Sequence, residues 1–286
     1  MYKNKFSLKY TIILHHLGKK MSKKNYIGVY QAFLKDGTPS YRASITYLGK
    51  HISLGSYSKV TRASKAYKEA SAILENEAID IPSYKKDMAL GFDKFVSLIN
   101  YRDKGMYIAN PIYLEKKYFL YYLSPTQVLK FDIDDLFYYS SHKIMQRGTH
   151  LFVADYGSQI SIRERYGIKS YAVEGRDYRF ANDDPSDFRY ENIIILNRYR
   201  GVRQFAQKGF IKYKAVIHIK SNYVVGKYKT EAEAAIAYNK AADILIRNGI
   251  KKNFQLNYVE DLSASQYADI YMKIKISPKI YEIRKP

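Results

Sequence analysis

Two hundred and eighty-six residues, 47% apolar and 26% charged, describe a chain that folds into several modest cores, and exclude a disordered tail, a collagen and a membrane bundle. The lack of cysteine excludes a disulfide scaffold, thiolate zinc fingers, iron–sulfur clusters and a cysteine nucleophile, and suits a reducing cytoplasm. Forty-eight Lys and Arg against twenty-seven Asp and Glu leave a net charge of +21, which favours a polyanionic partner, nucleic acid first.

Residues 1–24 read as a basic leader. Their apolar run, Tyr10 to Leu17, is about half of what a membrane span needs and contains His15 and His16. The GKKMSKKN that follows lacks a small-residue cleavage site. Met21 opens a second plausible start, so the leader is expected to be dispensable. Thirty-one Tyr with no Trp fit the coding bias of an A/T-rich genome, which alone would spread Lys evenly. The charge is not even: residues 1–80 carry +9 and 198–258 carry +10, whereas 81–197 and 259–286 carry +1 each. Two cationic surfaces are expected.

They coincide with an internal repeat. Tyr26-Ile-Gly-Val-Tyr30 matches Tyr199-Arg-Gly-Val-Arg203, Tyr41-Arg-Ala-Ser-Ile45 matches Tyr213-Lys-Ala-Val-Ile217, and Leu54-Gly-Ser-Tyr57 matches Val225-Gly-Lys-Tyr228. Ala66-Tyr67 and Ala70 match Ala237-Tyr238 and Ala241, and the offset drifts only from 173 to 171. Each copy, 25–80 and 198–258, reads as three short strands and a helix.

In the second copy the strands are Gly201 to Gln204, Tyr213 to Ile219 and Tyr223 to Tyr228, with a turn at Ser221-Asn222. In the middle strand Tyr213, Ala215, Ile217 and Ile219 alternate with Lys214, Val216 and His218. Thr230-Glu-Ala-Glu233 is a capping box, and the helix it opens runs to about Arg247 and stops at Asn248-Gly249. Ala234, Ala237, Tyr238, Ala241, Ala242 and Leu245 line one face at three- and four-residue spacing, a stripe of small residues for close packing on a sheet. The other sheet face is left open and basic, which suits the major groove of DNA.

These motifs in this order resemble the APETALA2/ethylene-response-factor DNA-binding domain, and residues 199–257 carry the fuller match. The resemblance implies a three-stranded sheet in the major groove of double-stranded DNA, with Arg200 and Arg203 as the prime readers and Lys212, Lys214, His218 and Lys220 beside them. Tyr213, His218 and Val224 stand where the plant domains have tryptophan, arginine and tryptophan, so the plant-type target is not implied. The first copy has Ile27 and Tyr30 in place of the arginines. Its candidates are Arg42, Lys50, His51 and, as an adenine reader, Gln31.

Residues 88–129 read as hydrophobic, Tyr-rich strands without a motif. Further on, the run from Arg179 to Ile193 resembles the ββα-metal core of HNH homing endonucleases, often fused to APETALA2-type domains in phage and bacteria. Asn182, Asp184, Asp187, Arg189, Glu191 and Asn192 match its frame, which implies a turn followed by a helix carrying Glu-Asn-Ile. Phosphodiester hydrolysis by such a site needs a neutral imidazole and an oxygen-ligated divalent ion. Arg179-Phe180 replaces the catalytic Asp-His pair, so no catalytic residue and no metal ligand is assigned. Arg165, Arg176, Arg179 and Arg189 either clamp phosphates at the former site or are surface charges balanced by Asp183, Asp184 and Asp187. His142 and His150 lie where that family has strand or loop residues, with no Asp ligand nearby in the pattern, and read as structural. The tail, 259–286, reads as a helix from Ser263 to about Met272 and a strand from Ile274 to Ile283.

The expectation is an α+β chain with two sheet-plus-helix domains around a degenerate HNH-like domain. It describes a cytoplasmic, sequence-specific DNA-binding regulator of bacterial or phage origin, with no cofactor, no membrane partner and no small-molecule ligand. One alternative is an active HNH-type endonuclease using Mg or Mn through a rearranged site; another is a basic nucleoid or RNA-binding protein without sequence preference. The oligomeric state is left open.

Overall fold

A computed structural model of the chain describes residues 26–284, so the leader lies outside the described residues. The fold is mixed α+β. Among the described residues there are four three-stranded antiparallel sheets, one two-stranded hairpin and seven α-helices. None of the helices is long and apolar enough to cross a membrane. The chain divides into two compact units, 1–107 and 108–286.

The first unit opens with β1 (Val29–Phe33), β2 (Pro39–Tyr47) and β3 (Lys50–Tyr57), followed by α1 (Val60–Glu75). Ala63, Ala66, Ala70, Ile73 and Leu74 of α1 are buried against Ala43, Ile45, Ile52 and Leu54 of the sheet. A second helix, α2 (Phe92–Lys104), lies where strands were expected. Phe92, Phe95, Val96 and Ile99 recur at helical spacing, and Gly105, at φ 71°, ends the helix in the left-handed conformation. Residues 81–107 therefore belong to this unit, across the boundary read at residue 80. Arg102 Nη1 donates to the carbonyls of Ile73, Asn76 and Ile79 at 2.8–2.9 Å, satisfying the end of α1, and the Glu69 carboxylate accepts from the Ala89 and Leu90 amides.

The second unit begins with β4 (Ile112–Leu114), β5 (Tyr118–Ser124) and β6 (Gln127–Asp132), then α3 (Leu136–Ser141). The sheet β7 (Ile144–Arg147), β8 (His150–Asp155) and β9 (Ser158–Ser161) follows, with α4 (Ile162–Arg165) and the hairpin β10 (Tyr178–Phe180) and β11 (Ile193–Ile195). Phe119, Phe131, Tyr139, Tyr166 and Phe188 form the aromatic core between these pieces. The second repeat follows as β12 (Val202–Gln207), β13 (Phe210–His218), β14 (Asn222–Tyr228) and α5 (Glu231–Arg247). Thr230 and Glu233 make the expected capping box. Gly249 N–H donates to the Ile246 carbonyl and Ile250 N–H to that of Leu245, the paired closure that stops α5.

The two repeats share their irregularities as well as their elements. In each, the pairing of the second and third strands shifts register, so that Leu54 and Val225 become the extra residues of a β-bulge. The bulge puts Leu54 with Gly55, and Val225 with Gly226, on the helix side. A side chain on Gly226 would meet the Tyr228 hydroxyl at 2.2 Å. Gly28 and Gly201 adopt φ of 68° and 72°, and a Cβ there would fall 2.1 Å from the Tyr67 ring or 2.5 Å from the Tyr238 ring. The Gly-Val and Ala-Tyr motifs are thus the two sides of one contact between strand and helix.

The tail departs from expectation in part. Helix α6 (Ala264–Lys273) is capped by Ser263, but the expected strand is replaced by α7 (Pro278–Glu282), a turn started by a proline at its first position. Ile276 and Ile280 are buried in the core of the second repeat. The substitution Gly201→Ala is expected to cost well over about 1 kcal/mol, since it adds a clash to an unfavourable φ. Gly209→Ala, at φ 77° with open space around it, is expected to cost only the conformational part, near 1 kcal/mol. Thermal unfolding of the two variants measures the difference.

Candidate nucleic-acid interface

Residues directly opposed in an antiparallel ladder share a face. Arg203 lies opposite Lys214 and Lys214 opposite Lys227, so three cations form one row across the second sheet. Ala215 and Val202, one position along, are buried under α5, which puts the row on the open face. Phe205 and Lys212 form the next opposed pair on that face, with Lys227 Nζ 5.4 Å from the centre of the Phe205 ring. His218 pairs with Asn222, its Nδ1 3.1 Å from the Asn222 side-chain oxygen, and Lys220 is exposed in the intervening turn.

No acidic residue occurs between 202 and 230, and among the described residues none of Arg203, Lys212, Lys214 or Lys227 makes an ion pair. Like charges facing each other across a ladder destabilise it. The row therefore has no internal compensation. Lys227 was missed by sequence reasoning because strict alternation along Tyr223 to Tyr228 puts it beside Val225 under the helix. The bulge at Val225-Gly226 turns it outward, and the Val-Gly pair was the available signal.

Arg200 is not on this face. Asn257 accepts from its backbone N–H at 2.8 Å and donates to its carbonyl, and Asn257 is itself held by Asn239 of α5. The Arg200 guanidinium lies 4.9 Å from the centre of the Tyr171 ring, and its Nε is buried without a hydrogen-bond partner. Arg198, next to it, is held by Glu231 and Asp261.

The equivalent row of the first sheet is Tyr30, Arg42 and Ser56, with one cation instead of three. His51 shares that face opposite Thr46, with 3.4 Å between its Nδ1 and the Thr46 hydroxyl. Gln31 and Lys50 do not. Gln31 pairs with Tyr41 and Lys50 with Tyr47, both one step from the open-face rows and hence on the helix side. Lys50 Nζ sits 5.7 Å from the centre of the Tyr107 ring.

The four arginines of the middle segment do not converge. Arg165 bonds Asp135 at 2.8 Å, Arg176 bonds Asp177, and Arg189 bonds Asp187 and Glu191 at 2.7 Å each. Arg179 alone is exposed without an ion pair. Of the carboxylates expected to balance them, Asp183, Asp184 and Asp187, only Asp187 does so.

The residues matching the nuclease frame form a polar knot. Asn182 donates to the Asp187 carboxylate, Asn192 accepts from the Asn182 amide and donates to the Asp187 carbonyl, and Asp187 is fully buried. Glu191-Asn192 lies in a single 3-10 turn, Tyr190–Asn192, and Ile193 begins β11, in place of the expected helix. Ile193, Ile194 and Ile195 are β-branched and apolar, and they pair with β10. Phe180 is buried against Tyr178 and Ile168, His142 stacks on Tyr138, and His150 stacks on Phe152. Among the described residues no group of three or more His, Asp or Glu is placed to hold a metal ion.

Comparison with family models, with curated proteins and with solved structures finds no match for this chain.

Burial pushes the Asp187 carboxyl up, but hydrogen bonds from the Arg189 side chain and backbone, with the charges of Arg189 and Lys130, outweigh it and hold it below the usual carboxylate range. A depressed carboxylate contributes stability that is present above the unfolded value near pH 4 and is lost as pH falls through the folded value. Asp187→Ala is expected to cost about 2–4 kcal/mol at pH 7. Urea unfolding is expected to show that this difference from the parent shrinks below about pH 4.

Proposed function

We propose that the protein is a sequence-specific double-stranded DNA-binding protein whose principal reader is the open face of β12–β14. The observation that carries this reading is the uncompensated row Arg203, Lys214 and Lys227. Three strands span about 10 Å between their outer axes. That is close to the roughly 12 Å width of the B-form major groove, whereas the deep, narrow major groove of A-form RNA admits no such element. The alanine-lined helix behind the sheet keeps the ribbon stiff, and Arg203 has the fork that pairs with guanine O6 and N7. The resemblance to APETALA2-type domains supports the same orientation of the sheet.

In this reading the first repeat is an auxiliary reader with Arg42 and His51 on its face, and a second reader on one chain raises affinity through effective concentration. The middle segment serves as scaffold. Occupancy of a DNA site, as by a bacterial or phage regulator, is then the function.

Selection from a random duplex library, with part of the eluate incubated in Mg or Mn, tests the reading. An enriched motif on intact DNA is the expected outcome. A specific-to-nonspecific ratio near one would overturn it in favour of a nucleoid-type protein, and chelator-sensitive breaks near the motif would restore the nuclease. Arg203→Ala is expected to cost about 1–3 kcal/mol and relax specificity at one position, whereas Lys214→Ala or Lys227→Ala lowers affinity across sequences and reduces the salt slope by about 1 each. Installing the missing cations in the first repeat, Tyr30→Arg with Ser56→Lys, is expected to raise the salt slope by about 2. Titrations at several salt concentrations measure both.

A further inference from the structure

Residues 259–286 lie outside the stretch that resembles a DNA-binding domain, yet they complete the edge of the second sheet. Ile276 and Ile280 are buried in the core of that repeat and Ile274 packs against them, while the residue before each, Lys275, Lys279 and Lys273, is exposed. Ser277 N–H donates to the Val225 carbonyl at 2.7 Å, and the Lys275 carbonyl accepts from the Tyr228 hydroxyl at 3.0 Å. Lys240 of α5 donates to the carbonyls of Tyr271 and Ile274, which fixes the exit from α6. The tail backbone therefore runs beside β14, the edge strand, about one strand spacing of ~4.8 Å beyond it at Val225.

Positive charge gathers along that edge. Lys212 and Lys227 of the open face line one groove of about 690 Å³ together with Lys229, Lys273 and Lys275. Lys275 and Lys279 line a second groove, of about 610 Å³, with Val224 of the open face. The carboxylates on these walls are Glu233, which accepts from the Lys229 and Thr230 amides, and the exposed Asp269. No acidic residue occurs from 270 to 281, and among the described residues Lys229, Lys273, Lys275 and Lys279 make no ion pair.

The fold does not require lysine at this edge. In the first repeat Tyr57, the counterpart of Tyr228, donates its hydroxyl to the Ala89 carbonyl at 3.2 Å, so the chain that follows is captured at the same point of the ladder. Ala89 and Leu90 are buried there, whereas Lys275 is exposed. The repeat with three cations in its row thus has lysines along its edge, and the repeat with one has Met88-Ala89-Leu90.

We propose, resting on the DNA-binding reading above, that Lys273, Lys275 and Lys279 bind the phosphates of one strand of the duplex whose major groove receives β12–β14. Three strands nearly fill that groove, so a segment one strand spacing farther out meets its phosphate wall and not the base edges. Lysine suits the place, because a flexible point charge engages phosphates without reading sequence. The tail then supplies affinity and orientation, and the sheet supplies base choice.

The test is a titration, at several salt concentrations, of a duplex selected by the parent protein with the full chain carrying Lys273→Gln, Lys275→Gln and Lys279→Gln together. Loss of three phosphate contacts is expected to reduce the salt slope by about 2.7. Raising salt from about 50 to about 200 mM then weakens this variant about fortyfold less than the parent. The selected motif is expected to be unchanged, and Lys273→Arg with Lys275→Arg and Lys279→Arg to keep the parent slope. Single methylphosphonate linkages to one side of the motif are expected to weaken the parent and not the glutamine variant. A slope equal to the parent's, while Lys214→Ala still lowers it, would overturn the tail contact and leave the sheet as reader. Weaker binding with the parent slope would also overturn it, as an effect on packing. A pool without an enriched motif would refute the DNA reading itself, and the tail contact with it.

Discussion

The close approach of an alanine-lined helix to a three-stranded sheet is the contact on which the cationic surface depends. Ala234, Ala237, Ala241 and Ala242 bring α5 down onto β12–β14, and Tyr238 fills the space left by the absent side chain of Gly201. A helix so seated buries the centre of one face of a narrow sheet, at roughly 25 cal/mol for each Å² of apolar surface removed from water. The other face is then free to carry charge that no core could accept. The same contact, with Ala63, Ala66, Ala70 and Tyr67 against Gly28, organises the first repeat.

Given that shared scaffold, the differences between the repeats lie where they do not disturb it. The row Tyr30, Arg42 and Ser56 and the row Arg203, Lys214 and Lys227 occupy the same register of the same bulged ladder. Exchanging a tyrosine and a serine for cations on an exposed face leaves the packing untouched and changes the field the face presents. Mutual repulsion along the row is a stability cost that nothing on the sheet offsets. Arg200 is held off the face by its Asn257 clamp, with its guanidinium against the Tyr171 ring.

The middle segment uses charge in the opposite way. Asp135, Asp177 and Asp187 are buried, and each is met by an arginine. Of the carboxylates expected in the nuclease-like frame, Asp187 is turned inward here as hydrogen-bonded scaffolding, whereas Asp184 and Glu191 are exposed. A buried carboxylate must find donors, and Asn182 and Arg189 donate to Asp187 while Lys130 Nζ adds a positive charge 3.8 Å away. Arg165, Arg176 and Arg189 are consumed by that requirement, whereas Arg147, Arg163 and Arg179 are exposed and make no ion pair among the described residues.

Much of the two repeats was legible in the residue order. The capping box at Thr230, the stop at Asn248-Gly249, the three strands and the small-residue stripe are local signals, each set by spacing within a few residues. The helix Phe92–Lys104 was legible too, through its apolar spacing, but tyrosine content favoured strands there. Non-local facts were not legible. Which residues share a row depends on cross-strand register, and a single bulge moved Lys227 from the helix side to the open face while Gln31 and Lys50, though exposed, fell in helix-side rows. Which arginines are free depends on carboxylates tens of residues away, as with Arg165 and Asp135. Sequence alone determined that this chain repeats a sheet-and-helix unit and concentrates its positive charge there, because those properties follow from composition and short-range periodicity. Only the tertiary structure decided which cations stand together without partners, because pairing and burial are settled by segments that meet only in the folded chain.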